Sequence, residues 1–148
     1  MNEQSDKLRS DPVWQDASAI SEYIYSQLDH LIENYPEEKW ATASKLRTAA
    51  NDGLFFISKA VAGTTPDSNL HDWDQARRLY FALQAQYLLA SKQHFIQLDP
   101  TMVVKLDKLL ATITQVIDST NIDIQVQADK ELEPWLKKYD IWRKIKGA

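Results

Sequence analysis

Residues 35–63, YPEEKWATASKLRTAANDGLFFISKAVAG, decide the fold. Trp40, Ala43, Leu46, Ala50, Leu54, Ile57 and Val61 step by three and four, the spacing of one buried face on a single long helix. Pro36 suits the first helical position, where its missing N–H would have no partner anyway. Glu37 and Glu38 follow where carboxylates oppose the positive end of the helix dipole. Gly63 stands where a left-handed C-terminal cap is expected. The opposite arc carries Lys45, Thr48, Asn51, Asp52 and Lys59 and should be solvated. Phe55 falls in the middle of that arc. Two readings stay open for it: a single exposed ring, which is ordinary on protein surfaces, or a second contact surface that makes an oligomer.

Working outward, prolines 12, 36, 66, 100 and 134 each stand near the start of an apolar-periodic segment. Residues 1–10 read as a disordered leader. Asp11 caps a helix over about 11–33, with Val13, Ala17, Ile20, Ile24, Leu28 and Leu31 on its core face and Trp14, Tyr25 and Ile32 beside it. The short turn ENYP returns the chain antiparallel. GTTPDSN is the next turn. It leads to a helix over about 69–96 with Trp73, Ala76, Tyr80, Leu83, Tyr87 and Ala90 facing the core. Phe81, Leu88 and Phe95 repeat every seven residues on another side, a candidate oligomer interface together with Phe55. Asp99 and Pro100 start a helix over 100–119, where Val103, Leu106, Leu110, Ile113 and Ile117 keep heptad spacing. The expected architecture is all-α: an up-down-up-down four-helix bundle over 11–119, followed by a C-terminal extension.

That extension, 120–148, changes pattern. Ile122, Ile124 and Val126 alternate with polar residues, as in a strand, and read either as an ordered extended linker or as a strand pairing across subunits. EPWLKKYDIWRKIKGA then reads as a short basic amphipathic helix with Trp135, Tyr139 and Trp142 on one side. Either it docks on the bundle or a neighbour, or it tethers the protein to an acidic partner, nucleic acid or a membrane surface.

Composition narrows the functional classes. The 148 residues are 44% apolar and 26% charged, with net charge −4, three glycines and no cysteine. Disulfides and thiolate metal sites are therefore excluded, and the glycines form no phosphate-cradling pattern. An acidic body argues against a duplex-coating protein, although the last nineteen residues are basic. No apolar run reaches membrane-spanning length, and a cytoplasmic location is expected. No His follows a Glu at the spacing di-iron bundles use. His71 beside Asp67, Asp72 and Asp74 reads as a solvated capping cluster. His94 sits where an imidazole favours a helix C-terminus, and no serine has a base and an orienter. We expect no enzymatic activity, no cofactor and no metal.

Val13-Trp14-Gln15, Tyr35-Pro36-Glu37-Glu38 and Leu46-Arg47-Thr48-Ala49-Ala50 resemble the opening of the ribosomal intervening-sequence four-helix proteins. Where those carry a Pro followed by Asn-Ile-Ala-Glu-Gly, this chain has Leu54 and then Phe56-Ile57-Ser58-Lys59-Ala60. From there it is more similar to the related Avd proteins, accessory variability determinants of diversity-generating retroelements, in Val61-Ala62-Gly63, Ala76-Arg77-Arg78-Leu79-Tyr80-Phe81-Ala82-Leu83 and Leu98-Asp99-Pro100. The resemblance spans about residues 12–119. It implies a homopentamer of four-helix bundles that serves as accessory to a reverse transcriptase and its structured template RNA. If that role holds, Arg47, Arg77 and Arg78 on the bundle and Lys137, Lys138, Arg143 and Lys144 in the tail are the binding candidates. The alternative is an adaptor that takes a protein partner through its aromatic-basic tail, without nucleic acid.

Overall fold

The computed structural model describes residues 3–147, and every element among them is helical. α1 spans Glu3–Ser10, α2 Pro12–Asn34, α3 Thr42–Ala62, α4 Pro66–Lys92 and α5 Pro100–Ile145, with a single 3₁₀ turn at Pro36–Glu38. α2 packs on α3, α3 on α4, α4 on α5 and α5 on α2, so these four helices enclose one core. The expected core faces of 11–33 and 69–96 are buried throughout, and on α5 Leu106, Leu110, Ile113 and Ile117 are buried while Val103 packs at the margin.

Local chemistry explains the helix starts. The Asp11 carboxylate accepts from the Trp14 N–H at 2.9 Å, and Pro12 takes the first position of α2. Asp99 does the same for α5, accepting from Thr101 N–H at 2.9 Å. Its own N–H donates to the buried Tyr87 hydroxyl at 2.9 Å, which ties the start of α5 to α4. The α3–α4 contact is close because small residues line it: Ala49, Ala50, Gly53 and Ala60 on α3 and Ala76 on α4 are all buried. A Cβ at Gly53 would lie 2.8 Å from Cε2 of Tyr80, so only glycine lets that ring approach.

Four expectations need correction. The stretch 35–63 is not one helix: Pro36 opens a 3₁₀ turn, the chain bends through Lys39–Ala41, and α3 begins at Thr42. The Glu38 carboxylate accepts from the Thr42 hydroxyl at 2.7 Å and fixes that bend. The bend shifts the phase of Trp40, which leaves the core face and is 82% exposed. Gly63 ends α3 with φ −67°, an extended and not a left-handed cap. A Cβ there would meet the side-chain oxygen of Asn69, which would have to turn away. Residues 3–10, expected as disordered leader, form α1, which lies against α2 and α3 with Leu8 on the margin of the core; Met1 and Asn2 lie outside the described residues.

The fourth correction matters most. Residues 120–145 are neither linker nor strand nor a separate tail helix, but the uninterrupted continuation of α5. Its 46 residues make a rod of ~69 Å at 1.5 Å per residue. The alternation of Ile122, Ile124 and Val126 yields to helix, and local pairs support its middle turns. Gln125 donates to Asp129 at 2.9 Å, Gln127 to Glu131 at 3.2 Å, and Lys137 meets Glu133 at 3.3 Å, all four residues apart. Among the described residues the last buried one is Ile117 and the last half-buried one Ile124, so about six turns beyond Ile124 stand clear of the head as an arm.

Candidate functional site

The arm gathers most of the residues singled out in the sequence, in an arrangement different from the one expected. Trp135 is 67% exposed, and Tyr139 and Trp142 are each 54% exposed, so they do not dock on the chain's own bundle. The physical reason is continuity: α5 has no loop at which the tail could fold back. Tyr139 and Trp142 stack on each other with ring centroids 6.1 Å apart, and Lys138 Nζ lies 5.0 Å from the centre of the Trp135 ring. These contacts stiffen the aromatic side of the arm without covering it. Arg143 and Lys144 occupy the last turn, where cations favour the negative end of the helix dipole.

At 3.6 residues per turn the arm also extends a pattern begun in the head. Leu106, Leu110, Ile113 and Ile117 face the core, and Ile124, Ala128, Leu132, Trp135, Tyr139 and Trp142 fall within about 80° of that line. In the head the stripe is covered by α2 and α4; on the arm it is not.

The head candidates divide. Arg77 Nη2 and Arg78 Nε both turn onto the Asp74 carboxylate, at 2.9 and 3.0 Å. Burial pushes the Asp74 carboxyl up, but the two guanidinium hydrogen bonds and charges outweigh it and hold the group below its ordinary range. Arg47 is exposed on α3, on a different helix from that pair. Phe55, Phe81 and Leu88 are exposed on the head, Phe55 being 57% and Phe81 54% open. Phe95 is different: it packs edge-on against Tyr35, centroids 5.0 Å apart, at the margin of the core. Expected at an oligomer interface, it is partly covered within the chain, which turns just before it at His94.

Near His71 the expected solvated cluster is only partly so. Asp72 is buried and meets Lys59 at 3.5 Å, while Lys59 also lies over the Phe55 and Phe56 rings. No grouping of acidic and histidine side chains among the described residues could hold a metal ion. α1 and α3 border an open groove of about 560 Å³, lined by Leu8, Phe55, Ser58, Lys59 and Val61 among others. Two tyrosines titrate abnormally: Tyr23 and Tyr80 are pushed above the usual phenol range, in both cases chiefly by burial.

No family model, curated protein or solved structure gives a significant match to the chain. No helix among the described residues is long and apolar enough to cross a membrane.

Proposed function

We propose that the protein is a non-enzymatic adaptor, in which an up-down-up-down four-helix head fixes the root of a helical arm and the arm takes a protein partner. The observation that carries this reading is the uncovered apolar stripe on α5, with three large aromatics held in the open on a helix that is rigid at its base. Exposed contiguous apolar surface rimmed by charge is the usual mark of an interaction site. Aromatic side chains supply much of the energy at such sites.

The test is capture from the native host with the full chain and with Trp135→Ala/Trp142→Ala, each after nuclease treatment. The adaptor reading expects a defined protein that the double variant loses at least tenfold while its thermal melting is unchanged. Equal capture by both forms would remove the arm as the surface that takes that protein.

A second reading, accessory to a reverse transcriptase and structured RNA in a homopentamer, draws support from the exposed Phe55, Phe81 and Leu88, which a ring of heads would cover. It expects a particle of about 85 kDa from the 17.1 kDa chain, carrying RNA that leaves steeply as salt rises.

A further inference from the structure

The partner of the arm can be specified further. We infer that the arm pairs antiparallel with the arm of a second copy of this chain. The inference rests on the arm being the protein's interaction surface, and it names the occupant.

Charge is the first argument. Residues 118–133 carry Asp118, Asp123, Asp129, Glu131 and Glu133 against Lys130 alone, a net −4. Residues 134–147 carry Lys137, Lys138, Arg143, Lys144 and Lys146 against Asp140 alone, a net +4. At 3.6 residues per turn Asp118, Asp129 and Glu131 in the first half and Lys138, Arg143 and Lys146 in the second lie within about 110° of the stripe, so arms laid head to tail set these acids against these bases. Laid parallel, like faces like along the whole length. The helix dipole accounts for the final turn of cations, but its effect falls off within a turn. It does not reach Lys138 or the acidic run in mid-helix, where, among the described residues, only Lys137 has an opposite charge on its own helix, Glu133 at 3.3 Å.

Side-chain size is the second argument. Reversing the stripe on itself sets Trp142 opposite Ile124, Tyr139 opposite Ala128 and Trp135 opposite Leu132. A large ring meets a smaller residue at every level, as interdigitating helices require. The two-fold axis then falls between Leu132 and Trp135, beside Pro134. The contact is isologous, so it closes at two copies and does not propagate. The arm, about 39 Å from residue 120 to 145 at 1.5 Å per residue, keeps the two heads apart at opposite ends.

Sedimentation equilibrium and crosslinking of the full chain test this. The wild type should run as a dimer near 34 kDa, twice the 17.1 kDa chain, and weaken as salt rises. Lys138→Glu/Arg143→Glu/Lys146→Glu should be monomeric, as should Asp118→Lys/Asp129→Lys/Glu131→Lys. An equimolar mixture of the two should recover the dimer. Orientation is read from the chain's lack of cysteine. Ala128→Cys mixed with Tyr139→Cys should form a disulfide, whereas Ala128→Cys alone should not, its two copies being ~16 Å apart in this register.

A wild-type monomer at the highest soluble concentration overturns the inference, as does an oligomer indifferent to the charge reversals. Ready crosslinking of Ala128→Cys to itself overturns it too, since that is the mark of parallel arms. If the chain is monomeric yet the Trp135→Ala/Trp142→Ala variant still loses a captured protein, self-pairing fails and the adaptor reading stands. If the chain dimerises but capture is unaffected, the occupant is right and the adaptor reading fails.

Discussion

His94 adopts φ 66° directly after α4, a left-handed conformation that favours glycine. It is tolerated because the turn satisfies the end of the helix: Phe95 N–H bonds Ala90 O at 2.9 Å and His94 N–H bonds Ser91 O at 3.1 Å. Replacing His94 by glycine should therefore raise stability by up to ~1 kcal/mol, read as a higher urea midpoint at unchanged slope. Gly53 predicts the opposite. Alanine is the better helix former by ~1 kcal/mol, but its Cβ would lie 2.8 Å from the Tyr80 ring. Overpacking costs roughly 1–3 kcal/mol, and Tyr80 is fully buried and cannot swing away. Gly53→Ala should thus lower the melting temperature. Asp74 contributes with a sign set by its depressed titration. Its pairing with Arg77 and Arg78 stabilises the fold fully above the ordinary carboxyl value of 3.8 and fades as pH falls through the lower folded value. Asp74→Asn should cost under about 1 kcal/mol at neutral pH, since Arg78 is largely exposed. The difference from wild type should vanish in strong acid, as followed by thermal melts across pH.

Among the elements, α2, α4 and the first half of α5 were legible because three-four apolar spacing maps directly onto burial when a helix is straight. α1 was not legible: EQSDKLRS has a single aliphatic residue, and it is packing of Leu8 at the margin of the core that accompanies the helix. The bend at residues 39–41 was hidden because Trp40 keeps correct spacing to Ala43 and Leu46, and no pattern within one helix reveals a side chain cap such as Glu38 on Thr42. The arm was misread through local alternation of Ile122, Ile124 and Val126, which overrode a longer helical stripe through Ile124, Ala128 and Leu132. Pro134 strengthened that misreading, since a proline usually opens a helix. Here it lies inside one, where it removes an N–H that would reach the Lys130 carbonyl. Pro134→Ala should restore that bond and slow amide exchange over residues 130–138 by at least tenfold, with little change in the melting of the head.

At the scale of the whole molecule, the head supplies stability and the arm supplies surface. Among the described residues every buried one lies between Val13 and Ile117, and the exposed aromatics Trp135, Tyr139 and Trp142 lie beyond it. The sequence named those aromatics and the basic residues among them, because composition alone separates them from the acidic body. Their placement was not legible, since it depends on whether the chain turns or continues as helix after Thr120, and the alternation of Ile122, Ile124 and Val126 points the other way. The unbroken run of α5 is the claim on which both the adaptor reading and the pairing of arms depend. It is tested most directly by a spin-label distance between Ala111→Cys in the head and Asp140→Cys on the arm, in a chain otherwise free of cysteine and diluted with unlabelled protein. A continuous helix predicts one narrow distance near ~43 Å, from twenty-nine residues at 1.5 Å each. A broad distribution, or a population at much shorter distance, would mean that the tail folds back on the head, and would contradict the account.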